Sequence, residues 1–194
     1  TDLLLELPEG HIWLGGEESS KDGTIFNANI PTEEVFSAPQ YNGVNGVVHS
    51  TKPLIYHGNT ISDFSFTFKE GKIVKYTAKE GYEVLKELVE TDEGSHYLGE
   101  VALVDHFSPI SQSNQIFYET LFDENASCHL AIGASYPTCL KNSDGLSEEE
   151  LKERGLNHSL THVDFMIGHE RMNIKGYTRD GQEVDIMIDG RLQV

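Results

Sequence analysis

His162 and Asp164 stand two residues apart in Ser159-Leu160-Thr161-His162-Val163-Asp164-Phe165-Met166-Ile167-Gly168. The segment reads as a strand, with Val163, Phe165 and Ile167 alternating to one face. His162 and Asp164 then share the opposite face, and an imidazole beside a carboxylate on a stiff strand is half of a metal site. Three upstream residues are candidates for the other half: Glu34 in Pro31-Thr32-Glu33-Glu34-Val35-Phe36, Glu100 in Tyr97-Leu98-Gly99-Glu100-Val101, and His129 in Ala126-Ser127-Cys128-His129-Leu130-Ala131. Two imidazoles and three carboxylates suit divalent zinc, cobalt or manganese. Five ligands exceed the three that one catalytic zinc uses. They suit two ions about 3.5–4 Å apart with one bridging carboxylate, a geometry of aminopeptidases, phosphatases and nucleases. No compact motif such as His-Glu-x-x-His occurs, so the fold has to assemble the set. The ordinary alternative is that a lone Glu among 32 acidic residues is solvated and a lone His is core or surface.

The elements that must position these residues are mostly strands. Leu3 to Leu7 alternates and is ended by Pro8-Glu9-Gly10; His11 to Leu14 is a short apolar run closed by Gly15-Gly16. Glu17 to Thr24 is polar and reads as an exposed loop. From Gly43 to Tyr76 the pattern is a β-meander: Gly46–Ser50, Pro53–His57 and Phe64–Phe68, the last with three Phe on one face. Lys69-Glu70-Gly71-Lys72 is a hairpin turn with Gly available for positive φ. The period then changes, because Val84, Leu85, Leu88 and Val89 fall at helical spacing within Glu80–Glu90. Phe107 to Gln115 reads as a loop, and Ile116 to Phe122 is ambiguous. Ser147 with Glu148, Glu149 and Glu150 predicts a helix N-terminus, and that helix ends at Gly155. Met172 to Ile188 predicts a closing hairpin turned at Asp180-Gly181. The expected architecture is a single α+β domain over residues 1–194, β-rich, with mixed or antiparallel sheet and two or three helices.

Composition bounds the partners. The chain has 194 residues, 32 acidic against 14 basic, and a net charge of -18. Nucleic acid is disfavoured, since binding phosphates needs a basic surface. Cationic ligands are favoured, whether metal ions or molecules carrying an ammonium group, although charge alone first means solubility. No apolar run approaches the ~20 residues that span a bilayer, so no membrane association is expected. The start has no basic n-region and no cleavage site, so it does not read as a secretory signal; it also lacks an initiator Met. Cys128 and Cys139 are too few for a disulfide framework and fit a reducing, cytoplasmic compartment.

Several long segments resemble the thermophilic-aminopeptidase family of metallopeptidases, the M29 group. They are Asn29–Phe36, Val48–Leu54, Phe64–Gly71, Glu90–Gly94, Tyr97–Val104, Leu121–Ile132 and Leu160–Gly168, collinear within a match running from about residue 27 to 187. The resemblance implies a metal-dependent aminopeptidase that removes N-terminal residues from peptides with a free N-terminus, using water activated by two divalent ions (zinc, cobalt or manganese). It implies Glu34, Glu100, His129, His162 and Asp164 as ligands, with Glu33 the competing choice in the first segment. It adds Tyr136 as an oxyanion donor and gives Glu100 the role of bridging the ions or taking the water's proton. It also implies a homodimer, and a chain of about twice this length whose N-terminal domain precedes the metal-binding half. Asp105-His106 departs from the pattern, and His106 is expected at the surface. The alternatives carried forward are a non-catalytic metal-binding half-chain and a dinuclear phosphoesterase.

Overall fold

The computed structural model describes residues 1–30 and 32–193; Pro31, part of the Glu34 segment, lies outside them. The strands are β1 (Asp2–Leu5), β2 (Leu14–Gly15), β3 (Glu17–Ser19), β4 (Ile25–Asn27), β5 (Val35–Ser37), β6 (Val44–His49), β7 (Leu54–Tyr56) and β8 (Asn59–Ile61) in the first part. They continue as β9 (Ser65–Lys69), β10 (Lys72–Thr77), β11 (Leu98–Leu103), β12 (His129–Gly133), β13 (His162–Met166), β14 (Ile174–Tyr177), β15 (Glu183–Ile188) and β16 (Arg191–Leu192). The α-helices are α1 (Tyr82–Val89), α2 (Pro109–Gln112), α3 (Thr120–Asp123) and α4 (Glu148–Glu153).

Two sheets carry the fold. One has the order β1-β6-β9-β10 and the other β13-β12-β11-β5-β2, every pairing antiparallel. They pack face to face through apolar side chains. Phe64, Phe66 and Phe68 point inward from the β9 region, and Phe165 of β13 meets Phe66 at 5.2 Å and Phe64 at 5.8 Å between ring centroids. Val101, Leu130 and Val163 complete that face of the second sheet, and α1 adds Leu85, Leu88 and Val89 to the same core. Such aromatic and aliphatic burial is the main driving force holding the layers together. The turn between β9 and β10 needs positive φ at Glu70 (49°) and Gly71 (80°), and a Cβ at Gly71 would overlap the Tyr41 carbonyl at 1.8 Å. β14, β15 and β16 form a third sheet, which places Met187 in the core.

The α+β, β-rich architecture agrees with the sequence; α1 sits where the periodicity puts it, and α4 where Ser147 and the acids after it put it. At α4 the predicted cap is a full capping box: Ser147 accepts from the Glu150 amide, and Glu150 accepts from the Ser147 amide. Two loop expectations are corrected. Glu17–Thr24 contributes β3 and the turn of a hairpin with β4, whose six residues are all exposed, so no burial alternation marks them. Phe107–Gln115 contains α2, a single turn started by Ser108 as N-cap and Pro109 at its first position. Among the described residues no helix is long and apolar enough to cross a membrane.

Candidate metal centre

The far face of the second sheet is polar. Paired residues of antiparallel strands share a face, and the register lays out the centre. Glu100, Ala131 and Asp164 form one row across β11, β12 and β13; Ala102, His129 and Met166 form another. His162 lies opposite Gly133 at the next site-facing position. Ala131 and Ala102 offer only methyl groups, which leaves room above the sheet for the longer side chains. Phe36 pairs with Ala102, so Glu34, two residues earlier, lies on this face, whereas Glu33 is exposed and outside the cluster. Of the two neighbouring acids, Glu34 is the one that joins the cluster.

All five residues named from the sequence converge. His129 Nε2 is 3.3 Å from Glu100 Oε1 and 3.7 Å from Glu34 Oε1. His162 Nε2 is 3.5 Å from Glu100 Oε2 and 3.5 Å from Asp164 Oδ1. Glu100 thus turns one oxygen to each imidazole. The structure adds a sixth residue, Glu124, which groups with His129 and Asp164; the other two groups are Glu34, Glu100, His129 and Glu100, His162, Asp164. Glu124 opens the 3-10 turn Glu124–Ala126, and the Asn29 side-chain amide donates to it at 2.8 Å. Its sequence signal was its place five residues before His129 in a segment already singled out.

Both imidazoles are oriented in the same way. Nδ1 of His129 lies 2.9 Å from the Ser127 carbonyl and Nδ1 of His162 lies 2.7 Å from the Ala134 carbonyl. A carbonyl can only accept, so Nδ1 carries the proton and Nε2 faces the carboxylates, the orientation a metal ligand requires. Among the described residues, His129 Nε2 and Asp164 Oδ1 are buried with no hydrogen-bond partner. Buried polar atoms are seldom left so, and the separations to the carboxylates exceed the ~2.7–2.9 Å of a charge-assisted hydrogen bond. Divalent ions fit this donor set, since they would satisfy both orphaned atoms.

The electrostatics point the same way. Burial pushes the Glu34 carboxyl above its ordinary value, and burial with the Asp164 charge pushes Glu124 up to about 9. Burial opposes charge on the imidazoles, yet the surrounding carboxylates raise His129 to about 10 and His162 to about 11. Burial also opposes charge on Asp164, but the adjacent His162 imidazole and the charge of His129 hold it below the usual range. The cluster demands positive charge. Without ions, protons on the imidazoles supply it; ligation requires those Nε2 protons to leave.

Tyr136 stands at the rim, 47% exposed, its ring 4.7 Å from that of His162 and edge-on to Phe36 at 6.2 Å. Partial burial raises its phenol, so the hydroxyl keeps its proton. His106 is half-buried, packs against Phe107 and is not among the clustered side chains.

An antiparallel sheet and its flanking segments, which together present two imidazoles and four carboxylates around buried donor atoms, define a candidate metallohydrolase. The chain belongs to the thermophilic metalloprotease (M29) family, whose model matches residues 1–192. It is 57% identical over 188 residues to Aminopeptidase 2 of Geobacillus stearothermophilus, covering 97% of this chain and 46% of that protein. It is 58% identical over 190 residues to Aminopeptidase AmpS of Bacillus subtilis (strain 168), covering 98% and 46%. The structure of wild-type AmpT from Thermus thermophilus superposes with a TM-score of 0.93 at 44% identity, covering all of this chain and 47% of that one. The chain therefore spans about half the length of the relatives it matches.

Proposed function

We propose that residues 1–194 form the metal-binding domain of an aminopeptidase that hydrolyses the N-terminal peptide bond of substrates with a free amine. The observation that carries this reading is Glu100 between His129 and His162, one oxygen to each. A carboxylate so placed suits a bridge between two ions, with Glu34, His129, Glu124, His162 and Asp164 as the remaining ligands. Zinc, cobalt and manganese all suit this oxygen-rich, thiolate-free set. When bound, such ions lower the pKa of a shared water and polarise a carbonyl.

The chain's own residues supply the rest. Glu100, 5% exposed, turns one oxygen to each imidazole, so it would either bridge bound ions or take a proton from a water held beside them. Tyr136, protonated and at the rim, donates a hydrogen bond to the scissile carbonyl oxygen as negative charge develops there. The net charge of -18 attracts a substrate ammonium and repels a phosphate dianion, which favours a peptidase over a phosphoesterase. Buried free thiols at Cys128 and Cys139 support a cytoplasmic setting. Exposed Ile116, Phe117, Tyr118 and Leu121 support assembly into a homodimer at full length.

The test is chelation, then reloading with zinc, cobalt or manganese, followed by metal analysis and assay against an aminoacyl anilide and an aryl phosphate. Where turnover is absent, the assay is repeated on the chain extended to its relatives' length. Two ions per chain and metal-restored anilide hydrolysis are expected. One ion per chain overturns the dinuclear reading; binding without turnover at either length leaves a non-catalytic module; hydrolysis of the phosphate alone overturns the peptidase.

A further inference from the structure

The carbonyl that orients His162 is itself held from several sides. Ala134 O lies where a Cβ on Gly99 would stand, 2.1 Å from that position, so the residue preceding Glu100 has to lack a side chain. Ala134 N donates to Thr161 O at 2.8 Å, and Gly133 takes φ 107° to make the bend. These contacts bring the carbonyl close. What braces the bend on both sides of Ala134 is Asn157.

Asn157 is 5% exposed. Its Nδ2 donates to Gly133 O at 2.7 Å and to Gly94 O at 2.8 Å. Its main-chain N donates to Ser135 Oγ at 3.1 Å, and its main-chain O accepts from Ser135 N at 2.9 Å. One residue thus grips positions 133 and 135 and ties them to the turn just ahead of β11. Both donors of its amide are used, on carbonyls that would otherwise be left with fewer partners. The held segment leads on one side from the His129 strand and on the other straight into Tyr136.

We propose that Asn157 is a positioning residue for the metal centre: by fixing Gly133–Ser135 it aims the Ala134 carbonyl at His162 Nδ1, and so aims Nε2 at Glu100 and Asp164. Hydrogen bonds to a ligand's far nitrogen fix its tautomer and ring orientation, and losing such support typically costs about 10–100-fold in metal affinity. The inference rests on the metal-centre reading above. It predicts an asymmetric effect, because His129 takes its orientation from Ser127 O, which Asn157 does not touch.

The test uses Asn157→Asp, which keeps the size and removes the amide donors. The control is Asp92→Asn, which loosens the other anchorage of the same loop, where Asp92 accepts from Ser159 Oγ at 2.8 Å and Leu160 N at 2.6 Å. Cobalt titration followed by visible absorption measures each ion, and NMR of the zinc-loaded chain follows the two histidine Nδ1 protons. In Asn157→Asp, one ion should bind about 10–100-fold more weakly, and the Nδ1 proton of His162 should exchange faster while that of His129 does not. Asp92→Asn should lower the melting temperature without either change. If Asn157→Asp does not fold, Ser135→Ala, which removes only the hydroxyl acceptor, should shift the same ion and the same proton by a smaller factor. Unchanged affinities and exchange, or equal effects on both ions in both variants, overturn the positioning role while leaving the centre intact. A parental chain that takes up no cobalt removes the centre, and the inference with it.

Discussion

Asp164 and Glu124 are both carboxylates of one buried cluster, yet they sit on opposite sides of their ordinary titration ranges: Asp164 is held down by the imidazoles beside it, and Glu124 is pushed up to about 9. Like charges that share a site cannot both ionise cheaply. The cost is borne by Glu124 in the ion-free protein and is relieved when cations enter.

Glu124→Gln should therefore separate stability from affinity. Removing a carboxyl that burial and Asp164 both oppose should leave the chelated protein as stable as the parent or more so. Affinity for the ion shared with His129 and Asp164 should fall by at least the ~10–100-fold seen for lesser perturbations. Calorimetry with and without chelator, beside a metal titration, reads both. A chelated variant less stable than the parent, with unchanged affinity, would assign Glu124 to the fold alone.

The pH dependence of the ion-free protein follows from the same cluster. His129, His162 and Glu124 all bind protons more tightly folded than unfolded, with folded values of about 10, 11 and 9. A raised value contributes stability that is full below the unfolded pKa and lost as pH rises through the folded one. For the imidazoles the loss starts above their ordinary 6.5. The melting temperature of the chelated protein should fall between roughly pH 7 and 10. With excess zinc the trend should reverse over the neutral range, because protons no longer compete with the ion. Parallel curves in chelator and in zinc would contradict this.

Tyr136→Phe, made in whichever length of chain hydrolyses an aminoacyl anilide, should keep its ions and its KM. Turnover should fall by about 10²–10³, the usual cost of one oxyanion donor. Parental turnover would reduce Tyr136 to packing against His162 and Phe36.

Phe165→Ala tests the layer beneath the centre. The ring is fully buried between Phe64 and Phe66, and its loss should destabilise the fold by ~3–5 kcal/mol in denaturant unfolding. Bound metal at saturation should stay at the parental stoichiometry, since the clustered imidazoles and carboxylates face the other side of the sheet.

The central segment was legible because apolar Val163 and Phe165 alternate with polar His162 and Asp164, which leaves one arrangement open to a strand. The meander was legible for the same reason, through Phe64, Phe66 and Phe68. The hairpin of β3 and β4 was hidden because neither face is buried, and α2 because a single capped turn has no period. Glu34, Glu100 and His129 could be named as candidates, but only the register of β11, β12 and β13, with Glu34 following from its spacing to Phe36, shows why they meet. Glu124 escaped because it sits on a 3-10 turn whose direction no sequence pattern reveals. Nor could a sequence show that Ala131 and Ala102 matter for being small.

The register also bears on how the chain matures. Every pair of neighbouring ligand strands is antiparallel, and the residues they bring together are scattered from the Glu34 segment to β13. A helix motif with two ligands one turn apart can trap an ion while the chain is still emerging. Here Glu34, Glu100 and His129 meet only once β5, β11 and β12 have paired, and His162 and Asp164 join them when β13 docks on the edge of the sheet. Long-range pairing of this kind is slow to form. An ion that finds only the closed sheet binds the native state and not the unfolded one, so the whole of its binding free energy is expressed as stability.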